Sequence, residues 1–234
     1  MISLKALSFK AIAIAITAIS FYSFNSQALT FDSEITPDLK AQMTNDLGFM
    51  AQIRGSDNLT PAHVAIYGKM DGESYKNFFE SRVFSIGKNS CGSDGKAVAC
   101  VIPFFDPNKM WITDNYINFS HPQIARLMII YHEARHTESD KGNWHHATCP
   151  TPFLDAQGNE IKSIWTGFSL AGEPACDSTI YGSYGSSTIL LHNISVACTN
   201  CSDKVKMDAK IYSDDQAKRL IGKAPGDLKK DYGG

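Results

Sequence analysis

Two histidines and a glutamate near the middle of the chain have the types and spacing of a metal-dependent hydrolytic centre. The segment is His132-Glu133-Ala134-Arg135-His136. Residues four apart lie on one face of an α-helix, one turn apart, so His132 and His136 could hold one metal ion between them. Glu133 is rotated from His132 by about 100° and could act as general base on a water activated by that ion. The alternative is two surface histidines on an ordinary helix.

The residues before this segment predict the helix that must carry it. Ser120 can cap the helix, with Gln123 as its capping-box partner and Pro122 in the first turn. The helix is expected to run over 120–140. Partial alternation of apolar and polar residues over 111–119 predicts a strand directly before it.

The remaining elements are predicted from periodicity and from turn residues. Thr36-Pro37 starts a helix that ends at Gly55, and a strand over 98–105 ends at Asp106-Pro107-Asn108. Residues 141–171 are irregular, and loops of that length are usually functional. A helix is expected from Glu173-Pro174 towards Cys198, followed by polar helices over 202–220.

With this strand and helix, the sequence resembles the zincin metallopeptidases, which share a His-Glu-x-x-His helix preceded by an edge strand. The resemblance covers 120–140 specifically and 111–185 more loosely. It implies an α+β, zincin-like catalytic domain with Zn²⁺ as cofactor. It also implies that a zinc-activated water, with Glu133 as general base, attacks a peptide carbonyl. The metzincin subfamily is not matched, because Ser139 and Gly142 occupy the positions of its glycine and third histidine.

The third metal ligand is open among three residues. Asp177 is ranked first and His146 a close second, because a Cys149–Cys176 bridge would bring their two segments together. Glu173 is third: with Asp177 it has the spacing of the gluzincin pattern, but it could equally be an acid that favours a helix start. Asp177 is also close to the aspzincin pattern, without matching it.

Two tyrosines follow Asp177 at helical spacing and are candidate donors to an oxyanion. These are Tyr181 and Tyr184. The alternative for each is plain packing, which is the more frequent role of a helical tyrosine.

The N-terminal 28 residues have the layout of a secretory signal peptide. Lys5 and Lys10 precede an apolar run over 11–21, and Ala28 ends a small-residue cleavage site. The run is shorter than the ~20 residues that a membrane span needs. We therefore expect a signal peptide over 1–28, a catalytic domain over 29–221 and a loose tail over 222–234, with no stable membrane anchor after cleavage.

Six cysteines fit an oxidising compartment, in which an even count favours disulfides. Six cysteines allow 15 connectivities, and the sequence does not choose among them. Local spacing favours Cys91 with Cys100. Cys198 and Cys201 could close a tight loop or form a redox-active pair. Cys149 and Cys176 then remain by elimination.

Composition and charge narrow the class of protein. The chain has 234 residues, of which 43% are hydrophobic and 20% charged, with a formal net charge of -2. These values are typical of a globular domain and exclude a broad basic surface for nucleic acid. The expected protein is a monomeric, secreted or periplasmic zinc metallopeptidase acting on peptides or proteins. The alternatives are a non-catalytic zincin-like binding module and a metal-dependent cell-wall amidase; the intact Glu133 favours an enzyme.

Overall fold

The computed structural model describes residues 28–92, 94–141, 143 and 145–234 and has an α+β fold. Of the predicted signal peptide only Ala28 is described, and Gly142 also lies outside the described residues. The strands are β1 (Thr30–Phe31), β2 (Ser85–Lys88), β3 (Ala99–Ile102) and β4 (Asp106–Ile112). The helices are α1 (Pro37–Met50), α2 (Pro61–Tyr67), α3 (Gly72–Glu80), α4 (Asp114–Asn118), α5 (Gln123–His136), α6 (Ser183–Ala197), α7 (Asp203–Ala217) and α8 (Ala224–Asp231).

The four strands form one mixed sheet in the order β1-β2-β4-β3. The neighbours β1, β2 and β4 are parallel, and β3 is antiparallel to β4. The strand before the His-Glu-x-x-His helix, β4, is therefore an interior strand, and the prediction that it lies at the edge is wrong. The edge on that side of the sheet is β3, which packs against α5.

The predicted strand over 111–119 is also misplaced. The strand begins at Asp106 rather than at 111. The chain reverses at 103–105, where the Phe105 amide donates to the Ile102 carbonyl, and β4 follows directly. Pro107 is tolerated there because the pairing of β3 with β4 is irregular between Val101 and Ile102. The strand ends at Ile112, since the Thr113 hydroxyl then caps α4 by accepting from the Asn115 amide.

Helix α5 carries the motif as predicted but begins and ends closer to it. Its N-cap is Pro122 without a side-chain cap, and it ends at His136 rather than Asp140. The predicted capping box is wrong because Gln123 is engaged elsewhere: its Nε2 donates to Asp46, which also pairs with Arg126. This buried carboxylate ties the start of α5 to α1.

The core surrounds α5 on nearly all sides. Its buried side chains include Leu127, Ile130 and Tyr131, and the helix contacts α1, α6, α7 and β3. The helix predicted to start at Thr36-Pro37 is confirmed as α1, although it ends at Met50 rather than at Gly55: the Thr36 hydroxyl caps the helix, and Met43 and Met50 are buried in the same core. A helix buried on most of its surface is held rigidly, which suits a site carried on its last turn.

Two predictions for the C-terminal third are wrong. Helix α6 begins at Ser183, so the stretch from Glu173 to Gly182 is not helical. The expected loose tail forms helix α8, whose Ala224 and Leu228 are buried, and Asp231 at its end accepts from the Ala62 amide. The tail is mostly polar, so its sequence gives little sign of burial, but these few apolar contacts stabilise the helix.

Three disulfides cross-link the chain, and they are the predicted ones. They join Cys91 to Cys100, Cys149 to Cys176 and Cys198 to Cys201. Three such bonds indicate an oxidising environment. Within the described residues, every helix is too short or too polar to cross a bilayer.

Candidate metal centre

Three histidine nitrogens converge at the end of α5. The Nε2 atoms of His132 and His136 lie 3.2 Å apart, and His146 Nε2 lies 3.2 Å from the first and 3.0 Å from the second. His132 and His136 are buried, and His146, on the loop after α5, is half-buried. The structure thus brings His146 together with the two motif histidines.

The donor set fits a metal cation. The Asn143 carbonyl can only accept, so His136 Nδ1, at 2.6 Å, carries the proton and leaves Nε2 with a lone pair. His146 Nδ1 likewise donates to the Asp177 carboxylate at 2.9 Å, so its Nε2 is the ring nitrogen that lies beside the other two histidines. In neutral rings these Nε2 atoms would carry lone pairs facing each other at 3.0 Å, which repel unless a cation lies between them. Tetrahedral zinc with Zn–N of ~2.0–2.1 Å separates its ligand nitrogens by roughly 3.3 Å, close to the observed spacing.

The two motif histidines are held in the form that binds metal. Burial, and then the neighbouring imidazoles, hold the pKa of His132 well below its ordinary value. The same two causes lower the pKa of His136 to about 3. Both rings are therefore neutral at physiological pH, as metal ligation requires.

Asp177 lies behind His146 and not among the three nitrogens. Its Oδ1 accepts from His146, and its Oδ2 accepts from the amides of Tyr184, at 2.7 Å, and Gly185, at 3.2 Å, in the first turn of α6. A carboxylate is favoured there by the unpaired amides and the positive end of the helix dipole. The prediction that Asp177 lies in a helix is wrong: Asp177 pairs with Leu220 in an isolated parallel bridge.

Gly182 is required by this arrangement. A Cβ built on Gly182 would lie 2.3 Å from Asp177 Oδ2, well inside van der Waals contact. Only glycine therefore lets the carboxylate approach the start of α6 closely enough to accept from its amides.

The Cys149–Cys176 disulfide joins the two segments that meet at the site. Ala147 and Cys176 exchange backbone hydrogen bonds of 2.7 and 3.0 Å, and the Cys149 amide donates to the Glu173 carbonyl at 2.8 Å. His146 and Asp177 thus lie next to a cross-linked pair of segments that meet in an isolated antiparallel bridge. The predicted role of this bridge, to tie the two segments into one neighbourhood, agrees with the geometry.

Glu133 is buried beside the triad and only 4% exposed. Its Oε2 makes no hydrogen bond to the described residues, and burial raises the pKa of this carboxyl to about 8. A cation held by the three imidazoles would lower that pKa again by Coulombic attraction. A carboxyl with an unpaired oxygen beside a cation site can accept a proton and release it.

A cleft of about 350 Å³ opens over the triad and Glu133. Its lining includes residues 96–101, which lead into β3 and form most of it, and residues of the loop over 163–175. Lys96 and Glu173, one from each of these segments, form an ion pair at 2.5 Å. Glu173 is therefore engaged with Lys96, whereas the sequence had offered it as a metal ligand.

Of the two candidate oxyanion donors, only Tyr184 lies at the site. Its ring centroid is 4.5 Å from that of His132 and 4.3 Å from that of His146, and it lines the cleft. Tyr181 is 47% exposed, and its carbonyl accepts from Arg135 at 2.6 Å.

Arg219, which lines the cleft, was not among the residues that the sequence predicted for the site. Arg219 follows α7, is 6% exposed and donates through Nη1 to the Tyr184 hydroxyl at 2.8 Å. Its position depends on the backbone pairing of 219–221 with Asp177, a contact between segments 42 residues apart that no local pattern announces.

Comparison with known proteins leaves this site to be interpreted from its own residues. No family model, no curated protein and no solved structure matches the chain.

Proposed function

We propose that the protein is an exported zinc-dependent metallopeptidase. The observation that carries this proposal is the convergence of three imidazoles in an open cleft that is also lined by buried Glu133, whose Oε2 accepts no hydrogen bond from the described residues. His132, His136 and His146 are the proposed ligands, with Asp177 as the partner that orients His146. Three protein ligands leave a tetrahedral zinc one open position, which is typical of catalytic rather than structural sites.

The roles of the residues follow from their contacts. Bound zinc supplies Lewis acidity, which polarises a substrate carbonyl and acidifies water. With zinc bound, Glu133 would be ionised; it would take up the proton of the attacking water and pass that proton to the leaving amine. Arg219 donates to the Tyr184 oxygen, so the Tyr184 hydroxyl hydrogen remains available for the oxyanion.

Peptide is the proposed substrate because β3, at the edge of the sheet, lines the cleft. Among the described residues β3 pairs with β4 alone, and its residues 99–101 line the cleft. An extended peptide can add to such an edge through backbone hydrogen bonds. A peptide bound in this way would have one of its carbonyl groups beside the proposed metal ligands and Glu133.

Zinc content and cleavage of a mixed peptide library, with and without chelator, test the proposal. The protein is expected to bind one zinc per chain and to lose cleavage when chelated. Glu133→Gln should keep zinc and lose about 10²-fold or more in turnover, because the base is removed and the ligands are not. Glu73→Gln, on the exposed start of α3, serves as the control and should leave turnover unchanged.

Two results would contradict this function. A Glu133→Gln variant with full turnover removes Glu133 from the mechanism. A parent protein that binds zinc but cleaves no peptide in the library points instead to the non-catalytic binding module.

A further inference from the structure

Arg219 is a buried cation that forms no direct ion pair with a carboxylate of the described residues. Three other arginines each pair with a carboxylate: Arg82 and Arg135 with Glu138, and Arg126 with Asp46. In the described part of the chain Arg219 forms no such pair, and its buried Nε has no hydrogen-bond partner. A buried charge is costly unless it is paired, so an unpaired one in a cleft points to a partner that arrives with the ligand.

The acidic side chains near Arg219 have other hydrogen-bond partners. Asp177 divides its oxygens between His146 and the start of α6. Asp215, in the last turn of α7, accepts from Gln216 at 3.1 Å; burial raises the pKa of its carboxyl, and the Arg219 charge opposes that rise without forming an ion pair among the described residues. Glu173, which also lines the cleft, is paired with Lys96.

Arg219 is also next to the catalytic groups. Its guanidinium carbon lies 4.5 Å from the centre of the Tyr184 ring, and that ring contacts both His132 and His146. Arg219 lines the same cleft as these residues. Only one of its five N–H groups donates to a described residue, so the guanidinium retains donors for a ligand.

We propose that Arg219 binds a carboxylate of the substrate, one tyrosine ring away from the scissile bond. The planar guanidinium matches a carboxylate better than it matches any neutral group, because it can donate two parallel hydrogen bonds. The carboxylate is either the C-terminus of a peptide or the side chain of an aspartate or glutamate. This inference rests on the proposed peptidase function and adds the substrate class to it.

Retention of peptides on immobilised Glu133→Gln protein, loaded with zinc, tests the proposal without turnover. Three acetylated pentapeptide libraries are offered together and the retained peptides are counted by mass spectrometry. One library has neutral residues and a free C-terminal carboxylate, one has an interior glutamate and a C-terminal amide, and one has neutral residues and a C-terminal amide. At least one carboxylate library should be retained about tenfold or more over the neutral amide, the scale of a charge-assisted hydrogen bond.

Variants then assign the preference to Arg219. Adding Arg219→Gln should abolish it, and Arg219→Lys should restore part of it as a point charge. Lys210→Gln removes the same charge from an exposed position of α7 outside the cleft, where Lys210 pairs with Asp214, and should leave the preference in place. Circular dichroism and zinc content show that each variant is folded.

The outcomes separate this inference from the function on which it rests. Equal retention of all three libraries, or a preference that survives Arg219→Gln, overturns the carboxylate site and leaves the peptidase proposal standing. Retention of none of them, together with no cleavage by the parent protein, overturns both. Since the contrast between carboxylate and amide is measured first with Arg219 intact, the test does not depend on any variant folding.

Discussion

The Asp177 carboxylate serves two partners at once, and each oxygen has its own. One oxygen fixes the proton of His146 on Nδ1, and the other accepts from the amides that begin α6. An imidazole oriented in this way presents a basic Nε2 to a metal. At the residue scale the site therefore pairs a candidate metal ligand, His146, with the carboxylate that orients it, and that carboxylate is hydrogen-bonded to the first turn of α6.

Removing His146 and removing Asp177 should change zinc affinity by different amounts. His146→Ala is expected to abolish stoichiometric zinc, because two imidazoles remain. Asp177→Ala should lower zinc affinity about 10–100-fold, the usual loss for an outer-shell partner. Zinc titration against a competing chelator measures both, and Asp155→Ala, in an exposed turn, is the matched control. The opposite order, with Asp177→Ala losing zinc and His146→Ala keeping it, would make Asp177 the ligand.

At the scale of elements, the start of α6 has no room for a side chain at Gly182. A Cβ on Gly182 would displace the Asp177 carboxylate, so Gly182→Ala should lower zinc affinity by about the same 10–100-fold as loss of that carboxylate. Gly226→Ala, in α8 with open space around its Cβ position, is the control and should leave zinc affinity unchanged. Parent-like affinity in Gly182→Ala, measured by the same competition, would show that the carboxylate can move without consequence.

Local sequence signals predicted some of these elements and missed others for identifiable reasons. The motif helix and α1 were predictable because apolar periodicity and, for α1, the Thr36 cap are local. The start of α6 was not, because Glu173-Pro174 imitates a helix start, whereas the segment is held extended by its pairing with 147–149. His146 could be listed as a candidate but not ranked above Asp177, since only the folded chain shows which of the two faces the other histidines. Arg219 depends wholly on a long-range contact.

At the scale of the whole molecule, cross-links hold the segments that local structure leaves loose. The loop after α5 has little regular structure, and the Cys149–Cys176 bridge fixes it to the segment of Asp177. The Cys198–Cys201 bridge lies at the opposite end of α6 from the histidines. The two bridges can therefore be compared directly.

Replacing both Cys149 and Cys176 with serine should affect stability and metal binding together. The free energy of unfolding is expected to fall by ~2–5 kcal/mol, the usual loss for a native disulfide in a small domain. Zinc affinity should fall as well, because His146 and Asp177 are no longer held together. Serines at Cys198 and Cys201 should leave zinc affinity unchanged. Denaturant unfolding and chelator competition measure the two quantities, and equal zinc affinity in both variants would separate the bridge from the site.

The three histidines lie within a short stretch of chain, since His132 and His146 are 14 residues apart, whereas Asp177 and Arg219 come from segments much further along. An unfolded chain therefore keeps all three imidazoles close enough to share a metal ion, though without the groups that orient them. A ligand raises the free energy of unfolding only to the extent that it prefers the folded chain. Zinc should consequently protect this protein against denaturation by less than its affinity for the folded site alone would give.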